Sequence, residues 1–349
     1  MAVPLPYIEV RGGYREIGRQ IGEAAREQIA RSVAHYQANI EWLAGMTFGA
    51  AEQRTLALLP HAQAALPQYV EELSGLAEGA GLPLTTLLVL NCGEEVLCAP
   101  RPGADHCTDV ALTSHGRTLV GHNEDWIEDD VENMALLSIT VPDGTRILSL
   151  TGAAYMPMCG VNSHGIAFYG NTLYAHDERA GVPNSFKHRW MLEAPDRPEA
   201  DRRALMAGRA RGSNHVLAQA GGRIWDIETS AQRAAVIEAG DWLVHANHYT
   251  ADEMLDLERS DSVGSRRRLA RGRELVAAGL ERGDDPLELV TNVLRDHANA
   301  PTSICAHPVD DDPHHGPTTG SVVFELEERR MHVCAGRPCE NPYRVVSMA

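Results

Sequence analysis

The residues of this chain that can do chemistry come in a fixed order. Cys107-Thr108 is followed by Gly121-His122-Asn123-Glu124-Asp125-Trp126 and, much later, by His245-Ala246-Asn247-His248. Cys107 can act as a nucleophile, and Asp125, eighteen residues on, can orient it. Asn247 can donate its amide to a developing oxyanion, and one such donor lowers a barrier by about 3–4 kcal/mol. A buried carboxylate beside a thiol would on its own raise the thiol pKa and blunt the nucleophile. The same carboxylate becomes useful if Cys107 carries a free α-amino group. That amine titrates near pH ~8 and can take the thiol proton itself. The pattern therefore predicts a nucleophile that is inactive until the bond between His106 and Cys107 is broken.

Further polar residues fit around this series. Asn123 precedes Asp125 on the same run, and Trp126, next to Asp125, is expected to line a pocket. Asn171 follows Tyr169-Gly170 at the end of a strand and is a candidate second polar group in that pocket. His245 and His248 flank Asn247, and we read them as structural hydrogen-bonding groups. His307, His314 and His315 share a loop with Asp310, Asp311 and Asp312; a solvated loop is expected there, with a lid over the site as the alternative.

These residues need elements to position them. Residues 5–11 read as a short strand. From Tyr14 to about Ile40 the apolar positions Ile17, Ile21, Ala25, Ile29, Val33, Tyr36 and Ile40 recur every three or four residues, the period of an amphipathic helix. More helix is expected over 62–79 and 84–96. The texture then changes to β-rich runs at 109–113, 117–123, 134–141 and 145–151, split by Ser114-His115-Gly116 and Asp143-Gly144. If the first two runs pair as a hairpin, Asn123 and Asp125 come near Cys107. Further strands are expected at 166–169, 214–219, 223–228, 233–237, 242–247, 320–326 and 330–334. Helices are expected near 186–194 and 198–210, from Ser265 to about 281, and from Asp285-Pro286 to about 297. Short antiparallel strands flanked by helices imply an α+β layered fold.

Order and spacing together carry a family resemblance over nearly the whole chain. Its residues are Gly18 and Gly22, Leu90-Asn91, Cys107-Thr108, Gly121-x-Asn123-x-Asp125, Gly181-Val182-Pro183, Val244-His245-x-Asn247-His248 and Ser303-Ile304-Cys305. The chain resembles the acyl-coenzyme A:6-aminopenicillanate acyltransferase (isopenicillin N acyltransferase) family of cysteine N-terminal nucleophile hydrolases. The resemblance implies a single four-layer αββα sandwich over 1–349, with a helical N-terminal segment. It implies self-cleavage into 1–106 and 107–349, two fragments that stay associated. It assigns Cys107 as nucleophile, Asp125 as the carboxylate that orients its amine, and Asn247 as oxyanion donor. Ser230 and Ser303 match serines near the site, and Ser265 and Arg268 match a structural helix start. Two positions depart from the pattern. His106 stands where members commonly have glycine. Glu124 stands where the penicillin acyltransferase has an aromatic residue, so His-Asn-Glu-Asp is more similar to relatives that hydrolyse small N-acyl amines.

The bulk numbers are consistent with such an enzyme and exclude other classes. A chain of 349 residues with 44% hydrophobic content can bury a large core. The net charge of −17 and the lack of a basic block argue against nucleic-acid partners. Lys187 is the only lysine, so Schiff-base chemistry has one candidate. No run of eighteen apolar residues and no secretory start is found, so a cytoplasmic chain with no membrane span is expected. Seven cysteines without a framework spacing are expected as reduced thiols. Neither the Cys92/Cys98 nor the Cys334/Cys339 spacing is a strong metal motif, so no metal is assigned. The expected reaction is attack of Cys107 on an amide or thioester of a small N-acyl compound, with water or an amine as acceptor and no cofactor. Two readings compete with it: an uncut, non-catalytic binding protein on the same fold, and a metallohydrolase using the histidine-rich loop.

Overall fold

The computed structural model describes residues 5–96, 107–126, 128–259, 263–309 and 316–348. His106, Cys98 and the 310–315 loop lie outside the described residues.

Two sheets form the centre. The first runs in the order Tyr7–Arg11, Met134–Thr140, Arg146–Gly152, Gly160–Asn162, Ile166–Tyr169, Val216–Gln219, Arg223–Thr229, Ala234–Glu238. Only its first pair is parallel. The second sheet is antiparallel throughout. Its order is Trp242–His245, Thr108–Ser114, Arg117–Asp125, Thr318–Glu325, Arg330–Ala335, Arg344–Ser347.

Side-chain alternation sorts the core into three apolar seams. Leu137, Ile139 and Ile227 of the first sheet face the N-terminal helices through Ile17, Ile29 and Leu73. Leu136, Leu148 and Ala167 face Ala111, Val120 and Val322 of the second sheet. Val110, Leu112 and Leu119 face Val276, Val290 and Val293 of the C-terminal helices. The layers are therefore α, β, β, α, as the resemblance implies. Because both faces of the 108–114 strand are covered, it is buried almost end to end, which is why its sequence lacks polar alternation.

The long N-terminal helix expected from 14 to 40 is two helices, Tyr14–Ala24 and Arg26–Ala44, which meet at Ala25. The helix Tyr14–Ala24 lies against Pro67–Ala80 at backbone contact. A Cβ on Gly18 would sit 1.8 Å from the Glu72 carbonyl oxygen, and one on Gly75 2.0 Å from that of Arg15. The helix expected near 62–79 divides into Leu59–Ala65 and Pro67–Ala80, split where Pro67 opens the second. The helix expected to start at Asp285-Pro286 runs Pro286–Leu294, and Asp285 caps it, accepting from the amides of Leu287 and Glu288. Ser265 does not cap: it lies inside Val263–Arg282 and turns its hydroxyl to the 247–248 segment. No single described helix is long and apolar enough to cross a membrane.

Candidate active site

The hairpin register decides which groups meet Cys107. Thr108 pairs with Asn123 and Asp109 with His122, so one further step sets Cys107 opposite Glu124. Opposed residues share a face. Cys107, Asp109, His122 and Glu124 therefore point toward the seam between the sheets. Thr108, Asn123 and Asp125 point toward the C-terminal helices.

On the first face the Cys107 thiol lies 3.4 Å from Glu124 Oε1. Glu124 Oε2 is 3.1 Å from His122 Nε2, and His122 Nδ1 is 2.7 Å from Asp109 Oδ1. Asn171 Nδ2 donates to Asp109 Oδ2 at 2.7 Å, and the Tyr169 ring stacks on the imidazole. Burial, then the Glu124 charge, pushes the Cys107 thiol well up. Burial opposes the charge on His122, but Asp109 outweighs it and holds the imidazole above its usual range.

On the second face, Asp125 is buried and accepts from Thr318 Oγ1 at 2.6 Å. Burial pushes its carboxyl up to about 8 against the opposing pull of the Arg268 charge. Arg268, delivered by the helix Val263–Arg282, is the hub of this face. Its Nη1 donates to the Cys107 carbonyl at 2.6 Å and to Thr108 Oγ1 at 2.8 Å. Its Nη2 donates to Asn247 Oδ1 at 2.9 Å. Because the guanidinium can only donate, it fixes the Asn247 amide with its nitrogen turned away, toward the Thr172 carbonyl 3.3 Å off. Asn247 is also held through its main chain, whose N–H donates to Ser265 Oγ. One buried cation thus ties the backbone of Cys107 to the side chain of Asn247. Arg268 was expected to play only a structural part, since nothing in a linear spacing of 161 residues joins it to Cys107.

A pocket opens at the thiol. Its wall includes Cys107, Glu124, Trp126, Tyr155, Thr172 and Glu94. Trp126 takes the expected place, its Nε1 donating to Tyr36 Oη at 2.5 Å. Other expected residues stand elsewhere. Asn123 is a brace, donating to the carbonyls of Leu294 and Ile304 and accepting from Ser321. Asn171 lies one layer behind the wall, on Asp109, while Gly170 and Thr172 line the pocket. Ser230 binds Asp177 and closes its own turn. Ser303 donates to the Cys305 carbonyl. Neither serine lines the pocket. His245 is anchored to Glu228 at 2.9 Å and His248 to Ser265 at 2.6 Å, the structural bonding expected of them.

Sequence reasoning passed over the Asp109–His122 pair. The available signal was parity: position 109 shares a face with 107, and 122 with 124.

The comparisons with known proteins agree with this architecture. The family described as "Acyl-coenzyme A:6-aminopenicillanic acid acyl-transferase" matches residues 112–340. The Emericella nidulans protein named acyl-coenzyme A:6-aminopenicillanic-acid-acyltransferase 40 kDa form is 27% identical over 345 residues, 96% of this chain and 94% of that one. The Drosophila melanogaster β-alanyl-dopamine/carcinine hydrolase is 26% identical over 227 residues, 59% of this chain and 58% of that protein. Among solved structures, a C2A mutant of the conjugated bile acid hydrolase of Clostridium perfringens superposes with a TM-score of 0.50 at 13% identity. That match covers 69% of this chain and 92% of the other, a likeness of fold.

Proposed function

The chain belongs to the acyl-coenzyme A:6-aminopenicillanic acid acyl-transferase family, an enzyme on the N-terminal nucleophile fold, and on that premise we propose that Cys107 is its nucleophile, freed by self-cleavage after His106. The observation that carries this reading is the Arg268 fork, which holds the Cys107 carbonyl and the Asn247 amide on one guanidinium.

In self-cleavage the Cys107 sulfur attacks the carbonyl carbon of residue 106. The peptide nitrogen leaves with a proton, and a thioester replaces the amide. Water then hydrolyses the thioester and leaves Cys107 with a free amine. Before cleavage Cys107 has no free α-amine to accept the thiol proton, and the group its thiol donates to is Glu124, itself paired with His122. In turnover the free amine takes the thiol proton as sulfur attacks the substrate carbonyl. The negative charge gathers on the carbonyl oxygen, where the Asn247 amide donates. Collapse expels the leaving amine, protonated by the α-ammonium, and water or another amine then takes the acyl group from sulfur. Asp125, whose carboxyl the uncut chain holds near 8, gains an ammonium partner at the end of its strand once the bond is cut.

The substrate is a small N-acyl amide or thioester. The pocket wall carries three carboxylates, Glu94, Glu95 and Glu124, and no lysine or arginine among the described residues. Trp126 and Tyr155 add aromatic faces. That balance favours an acyl compound bearing an ammonium group. The test is a turnover screen of N-acyl amines with and without an ammonium on the acyl part, run beside the Cys107→Ala chain. The reading expects cationic substrates to be preferred and Cys107→Ala to be inert. Turnover by Cys107→Ala would refute it.

A further inference from the structure

Away from the pocket, four side chains that share no linear motif converge. His297 follows the helix Pro286–Leu294, Cys305 and His307 lie on the next segment, and Cys339 lies in the turn after the strand Arg330–Ala335. One ligand atom from each lies within 4.8 Å of all the others. His297 Nε2 and His307 Nε2 are 3.1 Å apart, His307 Nε2 and Cys339 Sγ 3.3 Å, and Cys305 Sγ and Cys339 Sγ 3.6 Å.

We propose that His297, Cys305, His307 and Cys339 bind one zinc ion in a closed structural site. Zinc bonds of about 2.0–2.1 Å to nitrogen and about 2.3 Å to sulfur give tetrahedral edges of about 3.3, 3.6 and 3.8 Å for N–N, N–S and S–S pairs. The three separations above follow that rising order. Hydrogen bonding alone does not explain them. The single His307 Nε2 offers one proton or one lone pair, yet two groups close on it. A central cation satisfies all four atoms together. Its two charges match two thiolates. The outer layer also fits. His307 Nδ1 faces Glu340 Oε1 at 3.5 Å, and Arg337 Nε donates to Glu340 Oε2 at 2.8 Å, the carboxylate–histidine pairing that orients metal-bound imidazoles.

Four protein ligands leave no open position, so the ion braces and does not catalyse. What it braces is one wall of the active site. The 296–307 segment accepts Asn123 at the Ile304 carbonyl. Through the Ala306 amide it also holds Thr318, which donates to Asp125. Zinc would pin that segment to the 337–341 turn.

The experiment measures metal in the full chain, purified without a metal-affinity tag and passed over a chelating resin. About one zinc per chain is expected. His297→Asn and Cys339→Ser change exposed residues and should leave the fold intact by circular dichroism. Each is expected to lower bound zinc at least tenfold, and Glu340→Gln to weaken zinc binding by about tenfold. Cobalt in place of zinc should show thiolate-to-metal charge transfer and intense tetrahedral visible bands, both lost in Cys339→Ser. Wild-type chain that refuses zinc in titration would overturn the proposal, whether Cys305 and Cys339 are free or joined as a disulfide. Full zinc content in both exposed variants would overturn the ligand assignment. These readouts do not depend on turnover, so they stand or fall apart from the acyl-transfer reading.

Discussion

Asp125 is a carboxyl whose burial the uncut chain leaves largely uncompensated. Thr318 donates to it and Arg268 pulls its pKa down, yet burial still holds it near 8. The folded chain therefore binds this proton more tightly than the unfolded chain does. Between the ordinary 3.8 and about 8 the native state loses stability as pH rises. Asp125→Asn in the Cys107→Ala chain, which stays uncut, is expected to raise Tm above pH 8, and the gain should vanish as the pH falls toward 4. A gain that ignores pH, or a loss at pH 8, would contradict the burial argument. In the proposed mechanism Asn247 meets charge that exists only in the tetrahedral state. Asn247→Leu should therefore lower kcat by about 100- to 1000-fold with little change in KM. A change confined to KM would move Asn247 to substrate binding. His122 neighbours the thiol before any amine is free. His122→Asn should slow fragment appearance in a pulse-chase more than it slows turnover by chains already cut; equal slowing would assign it no special part in processing.

At the scale of elements, the 108–125 hairpin and the helix Val263–Arg282 do the positioning. The hairpin was legible, since its turn residues and β-rich runs were plain. The faces were not read correctly. Proximity across the ladder brought Asn123 and Asp125 near Cys107, but parity sends both side chains to the helical layer, and the groups beside the thiol are Glu124 and His122. Arg268 was illegible for a different reason: its partners come from two other elements, and only the packed helix brings them together. The paired helices Tyr14–Ala24 and Pro67–Ala80 offer a direct element-scale test. Backbone contact at Gly75 leaves no room for a methyl. Gly75→Ala should cost about 1–3 kcal/mol in chemical denaturation with the second-sheet site unchanged. A neutral substitution would show that the two helices part easily.

At the scale of the molecule, the layers follow from patterns the sequence displays. The N-terminal helices and the late helices form the two outer layers, and the short strands form the two layers between them. The short strands Gly160–Asn162 and Arg344–Ser347 were missed because three or four residues carry too little period to read. The metal-like cluster was missed because its four residues have no motif spacing and meet only when the last helix and the C-terminal turn close on the second sheet. Cys107, Asp125 and Asn247 are proposed as nucleophile, carboxylate and amide donor because their order along the chain is a pattern in itself. The central claim is that this order describes a chain that cuts itself. Intact mass and N-terminal sequencing of freshly purified protein test it most directly. The account predicts fragments of 106 and 349 − 106 = 243 residues, the larger beginning at Cys107, and one uncut chain for Cys107→Ala. A fully active single chain of 349 residues, or cleavage that persists in Cys107→Ala, would contradict it.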